Sequence, residues 1–134
     1  MFRAVLLLTV IVLFCPTVAQ AVSCAQDNRV VGSCYDVHGH LAIYANMRPR
    51  LQPDGTEDLL AIVPASGLET GETDYYWPHE VGEILSTDVD IVADFHVCPF
   101  TLPEAKKMQF VCIEAVSGMK TEPSSLAAQR QENQ

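Results

Sequence analysis

Five cysteines punctuate the 134-residue chain, and four of them, Cys24, Cys34, Cys98 and Cys112, lie beyond an apolar leader that holds the fifth, Cys15. Four cysteines behind a leader in so short a chain describe a small exported domain stapled by disulfides, because thiols oxidise outside the cytoplasm and a modest core gains most from covalent closure. The layout also narrows the chemistry. A cysteine nucleophile conflicts with pairing in an oxidising compartment, and without a CxxC motif a thioredoxin-like oxidoreductase is disfavoured.

The leader has the three parts of a signal peptide: Arg3 supplies the positive start, 4–14 form an uncharged apolar run, and Ala19-Gln20-Ala21 presents small residues to a peptidase. This predicts a mature chain beginning at Val22, in the periplasm or outside the cell. The alternative is lipoprotein processing, with Ala21-Val22-Ser23-Cys24 as the recognition box and Cys24 as the lipid-bearing terminus, although leucine is usual where Ala21 stands. No apolar run reaches the roughly 20 residues of a transmembrane span, so none is expected. The division is then a signal peptide over 1–21, one β domain over 22–118 and a polar, disordered tail over 119–134.

The chain carries a net charge of −9, and Arg3 is the leader's one charged residue, so the mature form is one unit more negative. Nucleic acid is excluded as a partner, since binding it requires cations to displace counterions from phosphate. Anionic lipid is disfavoured for the same reason. Between Arg50 and Lys106 there is no lysine or arginine, only acids and histidines, a bias that suits solubility, a cationic partner or a divalent ion.

Over 33–46, Tyr35, Val37, Leu41, Ile43 and Ala45 alternate with Asp36, His38, His40, Ala42 and Tyr44, the period of a strand. Gly39 interrupts the apolar face, where a bulge or the close approach of another backbone would want it. Extended structure continues over 48–52, Pro53-Asp54-Gly55 makes a turn, and 59–63 reads as a short buried strand ended by Pro64. The segment 65–79 lacks a period and reads as a loop, and 80–86 suits one or two helical turns. Two further strand-like runs, 88–98 and 108–116, form a hairpin that brings Cys98 near Cys112. This favours Cys98 with Cys112 and leaves Cys24 for Cys34, but four cysteines permit three connectivities and sequence does not choose among them. The predicted fold is all-β: a small disulfide-stapled sandwich or partly open barrel of five or six strands, with one short helix.

Three stretches, Tyr35-Asp36-Val37-His38-Gly39-His40-Leu41-Ala42-Ile43-Tyr44-Ala45-Asn46, Asp94-Phe95-His96-Val97-Cys98-Pro99-Phe100-Thr101 and Met108-Gln109-Phe110-Val111-Cys112-Ile113-Glu114, together resemble a group of small exported bacterial proteins of unassigned function. The resemblance covers about a quarter of the mature chain and leaves 47–88 outside it. It implies an exported bacterial β domain with a Cys98–Cys112 pairing and carries no activity.

Three constellations bear on function. Tyr75-Tyr76-Trp77 closes the acidic loop 66–80, where flat rings suit contact with a sugar or peptide or, more plainly, cap the core beneath. His38 and His40 share a strand face, as do His96 and Cys98, so three imidazoles would converge on copper or zinc if those strands adjoined. Asp88, Asp90 and Asp94 offer hard oxygens for calcium, but an EF-hand would need glycine and glutamate where Ala93 and Pro99 stand, and acids on a strand also protect an exposed edge. With no nucleophile elbow and no recognisable triad, the reading is a non-catalytic exported binding or structural module for an unidentified protein or polymer, with Tyr75, Tyr76 and Trp77 as its contact residues and no cofactor. The alternatives are a periplasmic copper or zinc protein using His38, His40 and His96, and a small hydrolase.

Overall fold

A computed structural model describes residues 23–44, 47–65 and 74–125. The leader with its cleavage site, most of the acidic loop and 126–134 lie outside the described residues.

Alternation between apolar and polar residues forms β1 over Tyr35–Ile43, with Val37 and Leu41 buried and Asp36 and His38 exposed. A tight connection, with Met47 at a φ of 62° and its amide bonded to the Tyr44 carbonyl, returns the chain into β2 over Pro49–Pro53. The Pro53-Asp54-Gly55 turn forms as expected, with Gly55 at a φ of 75°, and delivers β3 over Leu60–Ile62. Helix α1 spans His79–Ile84, β4 spans Val89–Pro99 and β5 spans Gln109–Pro123.

The strands close into a barrel in the order β1-β2-β3-β5-β4, with β4 returning to β1. All pairs are antiparallel except β3 with β5. This five-stranded Greek-key closure, with a helix between β3 and β4, is the connectivity of the OB-fold. Closure requires β1 to serve two neighbours at once. Gly39 sits opposite Pro53 on β2 and Ala93 on β4, and a Cβ there would lie 2.5 Å from the Gln52 carbonyl oxygen. The interrupting glycine therefore marks a close backbone approach.

Inward residues of the five strands, among them Leu41, Leu51, Ile62, Ile91, Phe95, Val97 and Val111, make one core, to which α1 and its exit add Val81 and Leu85. A smaller core lies on the outer side of β4 and β5, where Cys24, Val63, Cys98 and Cys112 pack with Tyr76, Phe100 and Phe110.

All four cysteines beyond the leader are paired, but with a different connectivity from the one favoured above. Cys24 bonds Cys112 and Cys34 bonds Cys98, with Cα atoms 6.2 and 4.1 Å apart. Cys98 and Cys112 do face each other across the β4–β5 ladder, and the sulfurs of Cys24, Cys98 and Cys112 lie within 4.8 Å of one another. What the hairpin argument omitted is the N-terminal segment, which lies over this outer face: its Val31 amide bonds the Pro99 carbonyl and its Ala25 amide bonds Glu114. Each strand cysteine therefore meets a partner from above rather than its ladder neighbour.

Two further expectations are corrected. Residues 119–123, assigned to the polar tail, are strand, because the first half of β4 takes its ladder partners from them, Val89 opposite Pro123 and Val92 opposite Lys120. Gly118, at a φ of 62°, carries β5 onward instead of ending it. The acids of β4 do not guard an edge, since β4 is paired on both sides, with β1 and with β5. Among the described residues no helix is long and apolar enough to cross a membrane.

Candidate functional site

The aromatic triplet is threaded along the barrel wall. The Tyr76 amide bonds the Val63 carbonyl beyond β3 and the Tyr76 carbonyl accepts from Ile113 on β5, while the Trp77 amide bonds the Tyr75 carbonyl, so the segment turns tightly at Tyr76 between the two strands. The turn sends the flanking side chains and the central one to different cores. Tyr75 and Trp77 go one way, pack against the main core and meet with ring centroids 5.0 Å apart. Tyr76 goes the other way, into the disulfide core, edge-on to Phe100 at 6.2 Å. Its hydroxyl donates to Asp27, and burial, aided by that carboxylate, pushes the phenol above its ordinary range.

Asp27 belongs to a clamp that fixes the N-terminal segment. Arg29 donates from Nε to one carboxylate oxygen at 2.9 Å and from Nη2 to the other at 2.7 Å, and its guanidinium stacks 5.1 Å from the Phe100 ring centre. This bidentate pairing holds the Asp27 carboxyl down at about 2. With the two disulfides, the clamp fastens 23–34 to the barrel.

Between that fastened segment and the aromatic residues lies a groove of about 680 Å³, lined by Ser23 and Cys24 on one side, Tyr75 to His79 on another, Gly82 and Glu83 of α1, and Ile113 and Glu114 of β5. The size falls within the range of small-ligand clefts, ~300–1,000 Å³. Gly82 permits the fit of its wall, since a Cβ there would lie 2.9 Å from the Trp77 indole nitrogen. Asp74, Glu83 and Glu114 supply three carboxylates, and among the described residues no lysine or arginine lines the groove. His79 pairs with Glu83 at 2.8 Å, and Glu114 accepts from the Ala25 amide at 2.8 Å. Tyr75, Tyr76 and Trp77 are thus half-buried parts of the wall. Sequence reading missed Glu83 and Glu114, although a glutamate set in the apolar run of β5 was a signal, and it missed the N-terminal wall because that wall depends on the disulfide connectivity.

The three histidines considered as metal ligands do share one surface. β1 and β4 are neighbours, and His38, His40 and His96 all stand on their outer face. Each is engaged by a carboxylate: His38 with Asp94 at 2.8 Å, His40 with Asp90 at 2.7 Å and His96 with Asp36 at 2.7 Å. Asp54 lies 3.5 Å from the other nitrogen of His38. Among the described residues the one group of three ligand-type side chains drawn within 4.8 Å is Cys24, Cys98 and Cys112, all committed to disulfides. Of the three acids considered for calcium, Asp90 and Asp94 are engaged by this histidine ladder, and Asp88 lies just before β4.

Asp90 is fully buried, which its place on an outward face did not suggest. Ser125 folds over it and donates to Oδ2 from its amide at 3.2 Å, alongside His40, while Oδ1 has no partner among the described residues. Compared with protein-family models, curated proteins and solved structures, the chain matches none.

Proposed function

We propose that this protein is an exported, non-catalytic binding module and that its contact surface is the groove walled by Tyr75 and Trp77. One observation carries the reading: a concavity of about 680 Å³ is lined by aromatic rings and bordered by an N-terminal segment that two disulfides and the Arg29–Asp27 clamp fasten to the barrel. A rigid wall lowers the ordering cost of capture, which is where small interfaces lose most of their affinity. Export is supported by the paired cysteines, a state that oxidising compartments maintain. A scaffold of this connectivity hosts many activities, so the argument rests on the groove and not on the barrel.

Trp77 is the only tryptophan in the chain, so its emission reports occupancy of the groove directly. Titrating the oxidised protein with a panel of short peptides and oligosaccharides should move Trp77 emission saturably for one chemical class. A flat response across the panel, with binding detected elsewhere by calorimetry, would overturn the assignment. Changing all three aromatics to alanine is a poor test, because Tyr76 plugs the disulfide core.

A second reading, transition-metal binding, is favoured by His38, which faces Asp94 with one nitrogen and Asp54 with the other, a carboxylate beside an imidazole being the usual support of a metal ligand. Zinc or copper would then raise the melting temperature of the wild type and not of His38→Ala. Equal shifts in both proteins would dismiss it.

A further inference from the structure

We infer that the groove selects a cation, specifically a lysine or arginine side chain presented by a basic peptide segment. The inference deepens the groove-binding reading and rests on it.

The argument is one of charge complementarity. Of the three carboxylates in the lining, Glu83 is engaged by the His79 imidazole at 2.8 Å. Glu114 is held by a backbone amide, and among the described residues no lysine or arginine stands in the groove to balance it or Asp74. A neutral occupant, such as a sugar, would strip water from these carboxylates while leaving their charge uncompensated. An ammonium or guanidinium removes the same water and supplies the missing charge through short charge-assisted hydrogen bonds.

The aromatic wall points the same way. Tyr75 and Trp77 stand together beside the acids, and tryptophan is the strongest of the ring partners for a cation. Their rings also cover the methylene stem that a lysine or arginine carries behind its charge. Elsewhere on the molecule this pairing already occurs, with Arg29 over Phe100 and bonded to Asp27.

The test uses the oxidised chain and three probes: a short lysine-rich peptide with blocked ends, the same peptide acetylated on every lysine, and a chitin oligosaccharide. Trp77 emission is the readout. The lysine peptide should bind saturably, with affinity falling about tenfold on acetylation and severalfold on raising salt from about 50 to 300 mM. Asp74→Asn with Glu114→Gln should weaken it about tenfold. Glu57→Gln with Asp58→Asn, the same loss of charge away from the groove, should leave it within about twofold, with melting curves confirming that each variant is folded. Equal weakening by the two pairs would mean diffuse attraction and overturn the inference. Binding of the acetylated peptide or the oligosaccharide as tightly as the lysine peptide would overturn the cation and keep the groove. No response of Trp77 to any probe would overturn both.

Discussion

A single methyl group added at position 39 would sit 2.5 Å from a main-chain carbonyl that cannot retreat without parting β1 from β2. We expect Gly39→Ala to cost about 2–3 kcal/mol, seen as a melting temperature lower by roughly 10 °C or more. A shift of a degree or two would show that the barrel closes less tightly there. The histidine ladder separates by burial. Removing His40 leaves the fully buried Asp90 with Ser125 as its remaining described partner, and His40→Ala should cost about 2–3 kcal/mol, below the usual figure for a broken buried pair because the imidazole is itself 35% exposed. His38→Ala and His96→Ala break exposed pairs and should each cost under about 1 kcal/mol. Denaturant melts of the three variants check the ordering. Asp27 has its carboxyl depressed from 3.8 to about 2, so its contribution is complete above about pH 4 and is lost as pH falls toward 2. Surface screening limits it to about 1 kcal/mol. The stability gap between wild type and Arg29→Met should therefore narrow between pH 4 and pH 2 and stay constant above; a gap that holds constant through pH 2 would mean the pair contributes through packing alone.

At the level of elements, the strands were largely legible because period-two alternation is a local property. The run expected over 33–46 contains β1, that over 88–98 covers β4 but for its last residue, and that over 108–116 covers the start of β5; the turn at Pro53 and the short helix fell where proline, glycine and apolar spacing put them. The continuation of β5 to Pro123 was not legible, since its outer half is polar and is strand only because β4 bonds it. The disulfide connectivity was hidden for a similar reason: it depends on where the N-terminal segment lies, and that segment has no period of its own. The difference has energetic weight. The observed links close separations of 88 and 64 residues, where the local alternative would close only short loops. Longer loops constrain the unfolded chain more, so losing Cys24–Cys112 by double serine substitution should cost about 3–5 kcal/mol. Arg29, Arg50 and Lys106 separate the four cysteines, so trypsin without reduction should release Cys24 joined to Cys112 and Cys34 joined to Cys98. A peptide joining Cys24 to Cys34 would contradict the architecture of the groove as well as the pairing, because Ser23 and Cys24 form one of its walls.

For the whole molecule, the barrel carries the groove on its wall, and the disulfides help to shape it by fastening the N-terminal segment beside the aromatic residues 75–77. The acidic bias visible in composition acquires a place: part of it is consumed pairing histidines on the β1–β4 face, and part of it lines the groove unbalanced. Tyr75, Tyr76 and Trp77 were legible as a cluster, but the division of their rings, Tyr75 and Trp77 against the main core and Tyr76 in the disulfide core, follows from the hydrogen bonds that hold Tyr76 between Val63 and Ile113. The most direct test of the account is a map of amide and indole resonances of the isotope-labelled, oxidised protein as the lysine-rich peptide is added. The account predicts shifts concentrated at the Trp77 indole, Asp74, Gly82, Glu83 and Glu114. Shifts gathered instead on His38, His40 and His96, or spread thinly over the acidic surface, would contradict it.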